Sequence, residues 1–147
     1  MDHSFHYLSM ANQMLIQKAL LEHIKGSGLT LGQPKILDFL KEHDGSTQKE
    51  IAAGCFIEAG SLTSLLNKME KKGLIQRRTL NGNRRSFHIF MTEEGKRKQE
   101  LIDQVFTKIE EKAHKNISEE EFSMFLSVYE KIYANLQKKN EEELYYE

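Results

Sequence analysis

One cysteine, nine glycines with no glycine-rich run, no long apolar stretch and a net charge of only −1 remove several functional classes from this 147-residue chain. A lone cysteine cannot build an internal disulfide framework, and it fits a reducing compartment. No apolar run approaches the roughly 20 residues needed to cross a bilayer. His3, His6 and Asn12 interrupt any secretory apolar region near the N-terminus. A soluble cytoplasmic protein with no membrane partner is predicted. The chain has no phosphate-cradling loop, no nucleophile elbow and no carboxylate pair at a working spacing, so neither catalytic residues nor enzyme activity are predicted. His3 and His6 could share a helix face. The other histidines are scattered and no cysteine cluster joins them, so neither metal nor cofactor is predicted.

The small net charge conceals a strong segregation. Residues 68–98 hold 10 basic and 3 acidic residues, whereas residues 99–147 hold 6 basic and 12 acidic ones. A cationic segment inside a neutral chain has the asymmetry of a localised phosphate-binding surface.

That segment overlaps the most informative stretch, Thr47 to Thr92. Thr47-Gln48-Lys49-Glu50 has capping-box spacing and opens a short helix. A second helix is predicted from about Glu58 to Gly73, whose missing Cβ suits a left-handed cap. At 100° per residue Leu62, Leu65, Leu66 and Met69 form its core face. Gly60, Ser64, Asn67, Lys68 and Lys71 fall on the opposite face, which is small and polar at its start and cationic at its end. Such a face can approach a nucleic-acid groove closely. Ile75–Thr79 and Phe87–Met91 are β-type runs, and Asn81-Gly82 between them is a strong hairpin signal. Arg77, Arg78, Arg84 and Arg85 flank that turn, within reach of a phosphate backbone or minor groove. A helix-turn-helix followed by a basic hairpin is a winged helix.

The rest is helical. Phe5 to Lys25 is predicted as a helix ended by Gly26-Ser27-Gly28. Thr30 and Gln33 have capping-box spacing ahead of a helix containing Ile36, Leu37 and Leu40, with Pro34 in its first turn. His43 to Ser46 reads as a turn. Thr92-Glu93-Glu94-Gly95 opens a long helix striped by Leu101, Ile102, Val105, Phe106, Ile109 and Ala113. Ser118 to Glu121 is a capping box for a last helix striped by Phe122, Phe125, Leu126, Tyr129, Ile132, Tyr133 and Leu136. The tail after Lys139 is acidic, with Leu144, Tyr145 and Tyr146 near its end. The predicted fold is mainly α with a small β-hairpin wing. Residues 1–28 and 96–147 are expected to form dimerisation helices around a winged helix-turn-helix domain at 29–95. The terminal stripes are too wide for a domain of about 70 residues to cover, which favours a homodimer over an intramolecular bundle.

Several of these positions, in this order, resemble the MarR family of bacterial transcriptional regulators. They are Leu29-Thr30 with Gln33, Glu50-Ile51-Ala52, Lys72-Gly73-Leu74-Ile75, Arg78, Asn83-Arg84-Arg85 and Met91-Thr92-Glu93-Glu94-Gly95. The resemblance covers about residues 5–138. It implies a dimer joined through its terminal helices, a reading helix in the major groove and wings at the minor groove. It further implies response to small aromatic ligands or oxidants in many members. Asn83 stands where the family wing usually carries Asp, which turns a charged brace into a neutral hydrogen bond. Ser64 stands where a long basic side chain is common. Oxidant-sensing members generally carry their cysteine near the N-terminal helix, which has none here, so Cys55 reads as a small core hydrophobe.

The candidate DNA-binding residues are therefore Ser61, Thr63, Ser64, Asn67 and Lys68 on the reading helix, with Arg78, Asn83, Arg84 and Arg85 in the wing. The predicted function is that of a homodimeric double-stranded-DNA-binding transcriptional regulator of repressor type on a pseudo-palindromic site, released by a small aromatic effector. The rivals are a winged-helix protein-interaction module without DNA binding and a helical small-molecule-binding protein.

Overall fold

A computed structural model describes residues 2–80, 82 and 86–138. The element order is α1 (Phe5–His23), α2 (Gln33–His43), β1 (Ser46–Thr47), α3 (Gln48–Cys55), α4 (Ala59–Lys71), β2 (Ile75–Thr79), β3 (Phe87–Met91), α5 (Glu93–Ala113) and α6 (Glu119–Gln137). The chain divides into two units, residues 1–109 and 110–147.

In the first unit α1 is opened by Ser4, whose hydroxyl accepts from the Tyr7 N–H at 3.3 Å. It stops at His23 rather than Lys25. Ile24 folds away into the core at 2% exposure, and Gly26 and Gly28 take left-handed φ values of 80° and 83°. The start of α2 also differs from expectation. Gly32 at φ 88°, not Thr30, is its N-cap. The expected spacing is used in half: Gln33 Oε1 accepts from the Thr30 N–H at 3.1 Å, but no hydroxyl caps the helix in return. By contrast Thr47 and Glu50 form the complete reciprocal box at the head of α3.

The expected turn at 43–46 ends in a third strand. Ser46 pairs with Ile89 and Thr47 with His88, giving an antiparallel sheet of order β1-β3-β2. The approach is held by Asp44, whose carboxylate accepts from the Met91 N–H at 2.8 Å, and by the Gly45 N–H donating to the Ile89 carbonyl at 2.8 Å.

Strands β2 and β3 match their predicted bounds, with Ile75 opposite Met91 and Thr79 opposite Phe87. That register leaves residues 80–86 between the paired ends. The described ladder therefore does not run up to a two-residue Asn81-Gly82 turn. Gly82 has φ 70°, while Asn81 lies outside the described residues.

Ile36, Leu37, Leu40, Ile51, Leu62, Leu66, Met69, Ile75, Ile89 and Ile102 are wholly buried and join α2, α3, α4, the sheet and α5 in one core. Truncating one such side chain to alanine costs about 2–5 kcal/mol, so the core sets the orientation of α4 firmly. The sheet-to-α5 junction is equally tight. Thr92 Oγ1 accepts from the Gly95 N–H at 3.0 Å and donates to the Gly73 carbonyl at 2.5 Å. A Cβ on Gly95 would collide with the Leu74 carbonyl oxygen.

In the second unit the chain turns through Asn116 at φ 62° and enters α6 through the predicted Ser118–Glu121 capping box. That bonding lowers the Glu121 pKa from its ordinary value, through the Ser118 backbone first. No residue of α6 is buried, although Phe125 and Tyr129 stack at 5.0 Å along its surface.

Candidate nucleic-acid interface

The helix-turn-helix is built by α3 and α4 around a tight turn. Phe56 caps α3 in the left-handed region, at φ 54° and ψ 44°, and its N–H returns to the Ala52 carbonyl. The turn directs α4 so that Leu62, Leu66 and Met69 enter the core and Ser61, Ser64, Asn67 and Lys68 stay exposed. Leu65, predicted to be core, is half-buried against it. The first turn of α4 is small and open. Its N-cap residue Glu58 makes no side-chain cap, and nothing lies within 4 Å of a Cβ built on Gly60.

Two interactions fix this helix from either side. From α3, Gln48 Nε2 donates to Thr63 Oγ1 at 2.5 Å, and the Thr63 hydroxyl donates to the Ala59 carbonyl at 3.0 Å. Thr63 is itself exposed, with its hydroxyl in both of these bonds. From β2, Arg77 donates through Nη2 to Asn67 Oδ1 at 2.9 Å and through Nη1 to Glu70 Oε1 at 3.1 Å. Its side chain is only 18% exposed.

The strand register sorts the arginines that the sequence had grouped. Arg77 lies opposite buried Ile89, on the face turned to α4. Arg78 lies opposite His88 on the other face, with its guanidinium 4.5 Å from the centre of the Phe90 ring. Period-two alternation from buried Ile75 carries the signal that separates Arg77 from Arg78. Gln48 carried none beyond its place beside the capping box. Asn83, Arg84 and Arg85 lie outside the described residues.

Lys72, just past α4, is occupied elsewhere: Nζ donates to the Gly28 carbonyl at 2.6 Å and to Gln33 Oε1 at 3.3 Å. Cys55 is 2% exposed and burial pushes its thiol up to about 11, so at neutral pH it is a protonated core side chain. Among the described residues no group of three metal-ligating side chains comes together, and no helix is long and apolar enough to cross a membrane.

Comparison with known proteins places this geometry. The model of the MarR family matches residues 27–86. The organic hydroperoxide resistance transcriptional regulator of Bacillus subtilis is 29% identical over 107 residues, covering 65% of this chain and 71% of that protein. The HTH-type transcriptional repressor MdtR of Bacillus subtilis is 31% identical over 87 residues, covering 59% and 56%. Among solved structures, the S. aureus MepR–DNA complex superposes with a TM-score of 0.78 at 27% identity, covering 92% of this chain and all of that one.

Proposed function

Because the chain belongs to the MarR family of winged helix-turn-helix regulators, we propose that it is a sequence-specific, double-stranded-DNA-binding transcriptional repressor, acting in the cytoplasm as a homodimer on a pseudo-palindromic site. The observation that carries the reading is the outward face of α4. Ser61, Ser64, Asn67 and Lys68 are exposed together, while Gln48 and Arg77 brace the helix from both sides. Short side chains let the helix approach base edges, Lys68 meets phosphate, and the uncapped first turn offers backbone N–H donors to a phosphate. Thr63 contributes by holding α4 in place. Arg78, Asn83, Arg84 and Arg85 are assigned to the backbone or minor groove beside it. MdtR is by name a repressor, and MepR is solved with DNA.

Residues 1–28 and 96–147 are assigned to dimerisation. In support, α1 leaves Met10, Met14 and Leu15 exposed, and α6 leaves Met124, Phe125 and Leu136 exposed. Apolar surface on this scale marks an interaction site, and a two-fold dimer matches a palindrome. Selection of bound sequences from random duplex DNA tests the reading. A palindromic consensus supports it, and no enrichment at low salt contradicts it.

A further inference from the structure

We propose that Arg77 is a positioning residue that sets the polarity of Asn67, so that Asn67 selects guanine over adenine at one position of each half-site. The inference rests on the DNA-binding reading above.

A side-chain amide has one accepting end and one donating end, and a guanidinium only donates. The 2.9 Å contact between Arg77 Nη2 and Asn67 is therefore satisfied in one sense only, with Oδ1 turned back to the wing. Arg77 is itself fixed. Its second nitrogen is held by Glu70 at 3.1 Å, and its side chain is largely covered. A planar fork held at both nitrogens loses little freedom in keeping that geometry. Asn67 lies among the exposed residues Ser64 and Lys68 on the face assigned to the groove, so the end left for a base is Nδ2 with its two N–H donors.

Base chemistry then sets the preference. An unconstrained asparagine reads adenine with both ends, accepting from N6–H and donating to N7. With Oδ1 turned toward Arg77 rather than toward the groove, that bidentate contact is disfavoured, although the oxygen keeps a second lone pair. Guanine presents N7 and O6, two adjacent acceptors, to a donor-only group, whereas cytosine presents a donor and opposes it.

The test is selection from random duplex DNA by the full chain and three variants, with thermal unfolding recorded for each. The wild type is expected to enrich guanine at one position per half-site. Arg77→Met frees the amide, and the guanine-to-adenine ratio there is expected to fall by about fivefold or more, the low end of the discrimination that one bidentate contact provides. Arg77→Lys keeps a donor for Oδ1 and should retain guanine. Asn67→Asp turns an acceptor outward and should lose the guanine enrichment. A consensus unchanged at every position in folded Arg77→Met overturns the proposal. If that variant fails to fold, persistence of guanine in Asn67→Asp overturns it. Failure of the wild type to retain any DNA is a different result: it removes the DNA-binding reading itself.

Discussion

Gln48, the first residue of α3, donates to Thr63 on α4 at 2.5 Å, so one side-chain bond ties the two helices of the helix-turn-helix at the end of α3 away from their turn. Thr63→Val keeps the shape and removes the acceptor. It is expected to lower stability by about 1 kcal/mol, the usual net contribution of such a bond, measured by urea unfolding. Gln48→Ala breaks the same bond from the other side. The double variant should then lose less than the two single losses added together; simple additivity would show that the bond contributes nothing.

Two helical glycines should respond in opposite ways to alanine. At Gly95 the new methyl meets the Leu74 carbonyl, a backbone atom that cannot swing aside. Gly95→Ala is expected to destabilise by more than about 2 kcal/mol, exceeding the gain of about 1 kcal/mol from helix propensity. At Gly60 the space is open, so Gly60→Ala should stabilise by about 0.5–1 kcal/mol. The same methyl stands in the first turn of α4, so DNA affinity should fall while stability rises. Chemical denaturation and a binding titration on one preparation check both signs.

Cys55 gives a pH prediction. Its folded thiol titrates at about 11, against 9.0 when unperturbed, because burial disfavours the thiolate. Above pH 9 the unfolded chain releases this proton while the folded chain keeps it. Stability should therefore fall between about pH 9 and 11, by on the order of 2 kcal/mol. Cys55→Ala should remove that part of the slope. The native thiol should also resist alkylation at pH 8 and react fully in urea; rapid native alkylation would contradict its burial.

The exposed apolar surfaces of α1 and α6 predict the oligomeric state. Leu15 is 64% and Leu136 77% exposed in the single chain. The wild type should sediment as a dimer. Leu15→Glu combined with Leu136→Glu should give a monomer with unchanged helix content and much weaker binding to a two-half-site duplex. An unchanged dimer mass would move the interface elsewhere.

The parts legible in the sequence were those specified by local chemistry. The capping boxes at Thr47 and Ser118, the left-handed glycine after α4, and the runs β2 and β3 each depend on a few adjacent residues. The parts that were not legible depend on distant partners. Strand β1 has two residues and exists because β3 offers an edge to Ser46 and Thr47. Thr30 failed as a cap because Gly32 supplies the entry geometry two residues later. Within the candidate interface, the exposed face of α4 followed from helical period alone. The division of labour between Arg77 and Arg78 needed the identity of the buried strand face, and the engagement of Thr63 needed the approach of α3.

The central claim is that the outward face of α4 meets duplex DNA, and the salt dependence of binding tests it most directly. Affinity for a selected duplex, measured over a series of salt concentrations, should fall linearly on a double-logarithmic plot, and Lys68→Ala should reduce the slope by about 1, the loss of one phosphate contact. Binding that ignores salt, or a slope that Lys68→Ala leaves unchanged, would contradict the account.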